Sequence, residues 1–126
     1  MPKTDGKVVV VIGDRLGKGS KIAKGVEKAG GEAILIEGMG ADMKVGDVMN
    51  ENDADIGLSF CGSGGAGAIT AANKYNYNAK HHLRSIEAGI TALKNGAEVL
   101  GFGFLNKEEL GKKIVEEYKK LHGKGN

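Results

Sequence analysis

The stretch 56-IGLSFCGSGGAGAITAANK-74 decides the fold, because it runs from an apolar strand through a glycine-rich turn into a helix. Residues 56–60 are mostly apolar, and four of the six residues 62–67 are glycine. A strand that turns directly into a helix is typical of βαβ units, which build parallel sheets. The stretch therefore predicts an α/β protein.

Apolar periodicity on either side of this stretch repeats the strand–helix alternation until it has occurred five times. The predicted strands cover residues 8–12, 33–36, 56–60, 78–83 and 98–104. The strand over 78–83 is the most polar of the five. Ser85 is a predicted helix cap, and Asn106 with Glu109 is predicted to form a capping box at the last helix.

This alternation predicts a three-layer, doubly wound sheet of five mainly parallel strands, Rossmann-like or flavodoxin-like. We expect one domain over residues 1–126, with residues 1–6 and 123–126 flexible. With the strand order 2-1-3-4-5, the first and third strands are neighbours. Asp14 and Cys61 would then face each other across the crevice where such sheets bind ligands.

Composition narrows the class of protein further. The net charge is +2, and basic residues are interspersed with acidic ones, which disfavours a nucleic-acid partner. A single cysteine precludes an internal disulfide and a Cys-rich zinc site, and no metal or cofactor is expected. The apolar run 8–12 is too short for a signal peptide or a membrane span, so we expect a cytoplasmic protein that is not embedded in a membrane.

The glycine-rich turn is a candidate anion site. Its backbone N–H groups can turn inward, and the following helix N-terminus adds about half a positive charge. The anion would be held by Ser63 and by the loop amides, which include those of Gly62, Gly64, Gly65 and Gly67. The alternative is a tight turn whose glycines only permit close helix–strand packing.

Two nucleotide-binding motifs match this sequence only in part. Residues 62–67 satisfy G-x-G-x-x-G, but they follow the third strand, and no acidic residue ends the next strand. Glu87 has a suitable separation but is predicted to lie inside a helix. Residues 13–20 are similar to a phosphate-binding Walker A loop, although Gly19 separates the Lys-Ser pair.

Two side chains at strand ends are candidates for chemistry. The helix dipole would favour a thiolate at Cys61, but a small buried hydrophobic residue is an equal alternative. Asp14 ends the first strand, where it could meet a substrate or simply cap a turn.

Further candidates are charged or aromatic. Arg15, Lys18 or Arg84 could add positive charge to an anion site, or they could be solvated surface groups. His81 and His82 are adjacent on a predicted strand, so we expect them on opposite faces and not as a chelating pair.

The loop also resembles a known family. Residues 61–64 (CGSG) and 69–74 (ITAANK) resemble the C-G-T-G…I-A-A-N-K signature of the ribose-5-phosphate isomerase B and galactose-6-phosphate isomerase family. Residues 95–103 are similar to that family's N-D-A-N-V-L-A-L-G stretch. Residues 59–63 (SFCGS) match the small bacterial family of glycine-rich SFCGS proteins, which is associated with multi-pass membrane proteins, here expected to be transport proteins, and with sugar-acid enzymes.

The isomerase resemblance implies a mechanism. Cys61 would act as the base that forms an enediolate, and Ser63 with the loop amides would stabilise the oxyanion. Asp14 would contact substrate hydroxyls at ring opening, and Asn73 would belong to the substrate site. The resemblance also implies a homodimer.

Several positions depart from the isomerase pattern. The loop is one residue longer, and Lys94-Asn95 stands where the isomerases have a His-Asn pair whose histidine is their ring-opening acid. Phe104 replaces an expected arginine, and Arg15 replaces a histidine.

These observations predict a phosphosugar-binding protein that acts as an aldose–ketose isomerase. The alternative is a non-catalytic sugar-phosphate-binding or regulatory component of a sugar uptake system. A phosphotransfer role for Cys61 ranks last, because phosphocysteine carriers place that residue after the first strand.

Overall fold

The computed structural model describes residues 7–123, which form five strands, five α-helices and one 3₁₀ helix. The strands are β1 (Val9–Asp14), β2 (Glu32–Ile36), β3 (Ile56–Phe60), β4 (Ala79–Leu83) and β5 (Val99–Phe102). The helices are α1 (Ser20–Lys28), α2 (Val45–Asn52), α3 (Ala66–Tyr75), α4 (Ile86–Lys94) and α5 (Glu108–His122), and the 3₁₀ helix is Ala41–Lys44.

The strands form one parallel sheet, which confirms the predicted doubly wound α/β class. The strand order is β2-β1-β3-β5-β4, so the predicted order 2-1-3-4-5 is wrong in its last two places. Burial explains the difference. All four β5 residues are buried, whereas β4 alternates between exposed and half-buried positions before Leu83. A polar strand suits the edge of a sheet, and an apolar one suits its interior.

Helices cover both faces of the sheet, which gives the predicted three layers. On one face α1, α4 and α5 pack over a core that includes Ile22, Leu93 and Ile114. On the other face α2 and α3 pack over a smaller core around Val45 and Met49. Because the strands are parallel, the loops that follow them all emerge at the carboxyl edge of the sheet.

The N-terminus of the last helix differs from its prediction. Lys107 is the capping position of α5 and makes no side-chain capping bond, so the predicted Asn106–Glu109 capping box is wrong. Ser85 does cap α4, because its hydroxyl accepts a hydrogen bond from the Ala88 N–H at 3.0 Å. The predicted flexible ends at 1–6 and 124–126 lie outside the described residues. Gly123 ends α5 in a left-handed conformation.

Among residues 7–123, no helix has the length and apolar character needed to cross a membrane.

Candidate functional site

The site begins where β1 and β3 end side by side. Asp14 is paired in register with Phe60, and the Arg15 N–H donates to the Phe60 carbonyl at 2.8 Å. The neighbouring positions of the first and third strands agree with the sequence prediction. Asp14 and Cys61 consequently lie at the same carboxyl edge of the sheet.

Cys61 lies inside a ring of donors that its own loop supplies. The Gly65 and Ala66 N–H groups point to the sulfur at 3.2 and 3.3 Å. The Ser63 hydroxyl lies 3.1 Å from the same atom. The thiol is 1% exposed, so these groups replace water around it. The amides that the sequence assigned to an external anion are thus directed at the cysteine sulfur.

This ring of donors favours the thiolate. Burial raises the pKa of the Cys61 thiol, but hydrogen bonds from the Ser63 hydroxyl and from the Ala66, Gly65 and Ser63 amides outweigh it, so the pKa lies below the ordinary value. Donors stabilise the charged form more than the neutral one. A thiolate is both a base and a nucleophile.

The glycines shape the loop and also allow close packing. Gly64 and Gly65 have φ values of 96° and 89°, in the left-handed region that favours glycine. A Cβ on Gly65 would lie 2.2 Å from the Gly101 Cα atom of β5. A Cβ on Gly67 would lie 1.8 Å from the Asp42 carbonyl oxygen. The same glycines therefore bring α3 against the sheet, as the packing interpretation requires, and aim its first amides at the thiol. The anion site stays a prediction.

The outer half of the loop faces solvent. Gly62 and Ser63 are exposed, whereas Gly64, Gly65 and Gly67 are buried. A molecule approaching the sheet edge would meet Ser63 before it met the sulfur of Cys61. The loop thus offers a hydroxyl donor directly above a shielded thiol.

Asp14 forms a local turn. It is 2% exposed, and its Oδ1 atom accepts a hydrogen bond from the Leu16 N–H at 2.8 Å. This bond to a residue two positions on fits the turn-capping interpretation. Asp14 also lies beside the end of β3, which leads into Cys61, so its contact with a substrate stays a proposal.

Sequence reasoning missed Asp42, which lies in the 3₁₀ helix above β1 and β3. Its side chain is fully buried, and Arg15 Nη1 lies 3.6 Å from its Oδ2 atom. The Ser59 hydroxyl donates to the Asp42 carbonyl at 3.3 Å. An acidic residue next to glycine turns carries no distinctive sequence signal, so only the three-dimensional contacts bring Asp42 into the site.

The other predicted contact residues lie on the surface. Asn73 is exposed on α3, Arg84 is exposed after β4, and Lys18 is exposed in the loop before α1. Phe104, which stands at the expected arginine position, is half-exposed, and its ring would contact a Cβ on Gly62 at 3.5 Å. Among residues 7–123, no group of three His, Cys, Asp or Glu side chains is placed to hold a metal ion.

The two histidines depart from their prediction. Their rings contact each other, with centroids 4.6 Å apart and the Nδ1 atoms facing, so the expected placement on opposite faces is wrong. His82 has a φ of 63°, and the β4–β5 register shifts between Lys80 and Leu83. The irregularity breaks the alternation of side chains. It also directs the His82 N–H to the Gly64 carbonyl at 2.8 Å.

Fold and site together define a class: a doubly wound α/β protein with a donor-stabilised thiol at the start of the helix after its third strand. The model of the glycine-rich SFCGS family matches residues 8–121. The chain therefore belongs to the glycine-rich SFCGS family. A search of curated proteins finds no match.

Solved structures of ribose-5-phosphate isomerase B share the fold. The Trypanosoma brucei type B enzyme is 19% identical, with a TM-score of 0.63, over 93% of this chain and 96% of its own. The Clostridium thermocellum enzyme is 22% identical, with a TM-score of 0.66, over 90% and 84%. The Mycoplasma genitalium enzyme, solved with bound ribulose-5-phosphate, is 18% identical, with a TM-score of 0.65, over 90% and 85%. The similarity establishes a common fold.

Proposed function

We propose that this protein binds a sugar phosphate at the loop 61–67 and interconverts aldose and ketose forms with Cys61 as the base. The observation that carries the proposal is the ring of donors around the Cys61 sulfur, which lowers the pKa of the thiol at the N-terminus of α3. The isomerase fold of the structural neighbours supports the same conclusion.

The proposed reaction moves one proton between two neighbouring carbons and a second proton between their oxygens. The Cys61 thiolate removes the proton from the carbon beside the substrate carbonyl. The electrons of that C–H bond form the enediolate double bond, and the carbonyl oxygen takes the negative charge. The protonated thiol then returns its proton to the former carbonyl carbon. The hydroxyl proton of the adjacent carbon passes to the negatively charged oxygen, and the new carbonyl forms at that adjacent carbon. No external oxidant is needed, because one carbon is oxidised as its neighbour is reduced.

Ser63 is the donor best placed to follow this charge. It is exposed and lies 3.1 Å from the sulfur, so its hydroxyl can turn from the thiolate to a substrate oxygen as the charge moves. Of the loop glycines, exposed Gly62 would supply an amide to the substrate, whereas Gly64, Gly65 and Gly67 are buried and would shape the loop around it. Asn73, Arg15 and Arg84 would supply side chains for the rest of the substrate. Asp14 would contact its hydroxyls.

A second candidate function is non-catalytic binding. Phe104 lies against the loop where an isomerase-like chain would have an arginine, and exposed Lys94 replaces the expected ring-opening histidine. Both changes remove catalytic aids and leave the loop intact. A binding or regulatory component of a sugar uptake system would need only that loop.

The surface around the site supports a homodimer. Five of the large exposed hydrophobic residues lie in segments that follow β1, β2, β3 or β5, at the candidate-site edge of the sheet: Leu16, Met39, Met43, Ile69 and Phe104. Large hydrophobic side chains exposed at the same edge of a sheet are typical of a surface covered by another protein. We propose a second copy as its partner. Met39→Glu should then shift a sedimentation-velocity dimer toward monomer, and a wild-type monomer would contradict the proposal.

Location and further partners rest on composition and on the family's associations. We propose that the protein is bacterial, lies in the cytoplasm and works together with membrane transport proteins. Cell fractionation followed by co-purification with the transport proteins of neighbouring genes tests it.

The decisive experiment is an NMR screen of pentose and hexose phosphates that records both isomerisation and amide shifts. The isomerase proposal predicts turnover of at least one substrate, which Cys61→Ala abolishes while Ser85→Ala preserves it. Amide shifts confined to residues 62–68 without turnover would favour the binding function. If no substrate in the screen is turned over and none binds, both the isomerase function and the binding function are refuted.

A further inference from the structure

Asp42 carries a buried carboxylate with very few partners. The residue is 0% exposed, and neither carboxylate oxygen has a hydrogen-bond partner among the described residues. The buried Ser59 hydroxyl donates to the backbone carbonyl of Asp42 and not to its carboxylate. Burying a carboxylate without donors is costly, because the interior does not replace the water that the charge has lost.

Arg15 is the group that offsets this charge. Its Nη1 atom lies 3.6 Å from Asp42 Oδ2, which makes an ion pair longer than a hydrogen bond. The Arg15 side chain is 56% exposed, so one side of the guanidinium faces the buried carboxylate while the other faces solvent. Arginine is suited to this arrangement, since its planar group has five N–H donors and can serve two anions at once.

The backbone contacts of this pair locate it beside the loop. The Arg15 N–H donates to Phe60, the residue before Cys61, and the Arg15 carbonyl accepts from the Gly40 N–H at 2.8 Å. The Asp42 carbonyl lies against Gly67, in the first turn of α3. Both ends of the ion pair are thus attached to segments that touch the loop.

We propose that Asp42 is a positioning residue that holds the Arg15 guanidinium beside the N-terminus of α3, where it pairs with the phosphate of the ligand. The proposal rests on the proposed phosphosugar function and deepens it. Arg15 would take the cationic role of the arginine that Phe104 replaces. The proposal also explains why an acidic side chain is buried next to the proposed anion site.

A double-mutant cycle tests the coupling. The dissociation constants of ribose 5-phosphate and inorganic phosphate are measured by NMR titration for wild type, Asp42→Asn, Arg15→Met and the double variant. We expect about tenfold weaker binding in each single variant, and no further loss when Asp42→Asn is added to Arg15→Met. A purely structural role for Asp42 would instead weaken binding by the same factor in both backgrounds, which would overturn the proposal.

A second measurement needs no ligand and begins with the wild type. The chain has two arginines, so the Nε–H relaxation of Arg15 can be compared with that of exposed Arg84 in the same sample. We expect Arg15 to be the more rigid of the two, and Asp42→Asn to remove the difference. Asp47→Asn is the matched control, because Asp47 pairs with Lys74 and Tyr75 instead. Equal mobility of both arginines in the wild type would overturn the positioning role.

The two proposals fail separately. If the wild type binds sugar phosphate and neither single variant binds more weakly, the role of the pair is wrong and the proposed function stands. If the wild type binds neither probe, the proposed function and the phosphate role of Arg15 are both wrong, and the relaxation comparison still decides whether Asp42 holds Arg15.

Discussion

The N–H group of Gly65 lies 3.2 Å from the sulfur of Cys61, four residues earlier in the chain. The bond closes the loop on itself, so the amides at the start of α3 stabilise a side chain of the protein. The preference of a helix N-terminus for negative charge thereby lowers the pKa of the Cys61 thiol. In the proposed isomerase, Cys61 would thus be prepared as a base before any substrate arrives.

Ser63→Ala should raise the pKa of Cys61. Burial, which raises the pKa of the thiol, would remain, while the hydroxyl donor that lowers it would be lost. The midpoint of a pH profile of alkylation by iodoacetamide should therefore move to higher pH. Ser85→Ala removes a hydroxyl that only caps α4 and should leave the midpoint in place. An unchanged midpoint in Ser63→Ala would show that the amides alone stabilise the thiolate.

Gly67→Ala should destabilise the fold. The added Cβ would lie 1.8 Å from the Asp42 carbonyl and 2.5 Å from the Ser59 hydroxyl, so α3 or the 3₁₀ helix must shift. We expect a loss of about 1–3 kcal/mol in the free energy of unfolding. Gly103→Ala is the control, because its Cβ would meet nothing within 4 Å, and it should change stability by less than about 0.5 kcal/mol. Chemical denaturation of both variants measures the difference.

His82 should tolerate asparagine but not valine. Its φ of 63° is accessible to asparagine at low cost, whereas a β-branched residue is strained there. We expect His82→Val to lower the free energy of unfolding by about 1–2 kcal/mol and His82→Asn to change it by less than about 0.5 kcal/mol. His81→Val provides the comparison at a neighbouring position without positive φ. Equal stability of both His82 variants would contradict the left-handed conformation.

Tyr118 should contribute stability that is lost at high pH. Burial, together with the nearby Asp55 carboxylate, raises the pKa of Tyr118 from 10.0 to about 12. The folded state therefore favours the neutral phenol. The resulting stabilisation is complete below pH 10 and declines as the pH rises toward 12. The difference in unfolding free energy between wild type and Tyr118→Phe should shrink over that interval. A constant difference would mean that the phenol titrates alike in both states.

Local patterning was sufficient for most of the fold. The strand at 56–60 and the cap at Ser85 lie where the sequence predicts them. Runs of β-branched residues and helical periodicity depend on neighbours in the chain, and a sequence displays those directly. The polar strand β4 was also predicted, but its predicted position in the sheet, next to β3, was wrong.

Tertiary packing decided the remaining features. Whether β4 or β5 lies next to β3 depends on which strand must be buried on both faces, and that choice involves residues distant in the chain. The facing His81 and His82 rings result from a register shift against β5. Such contacts leave no local pattern, since each depends on how two separate segments pair.

The sequence by itself determined the α/β alternation and the glycine-rich turn that carries Cys61, because both follow from residues adjacent in the chain. Only the tertiary structure placed the buried Asp42 carboxylate 3.6 Å from the Arg15 guanidinium, and only the folded loop directed two amides at the thiol. The physical reason is that charge pairing and burial are properties of the packed molecule, in which segments far apart in sequence exclude water from one another.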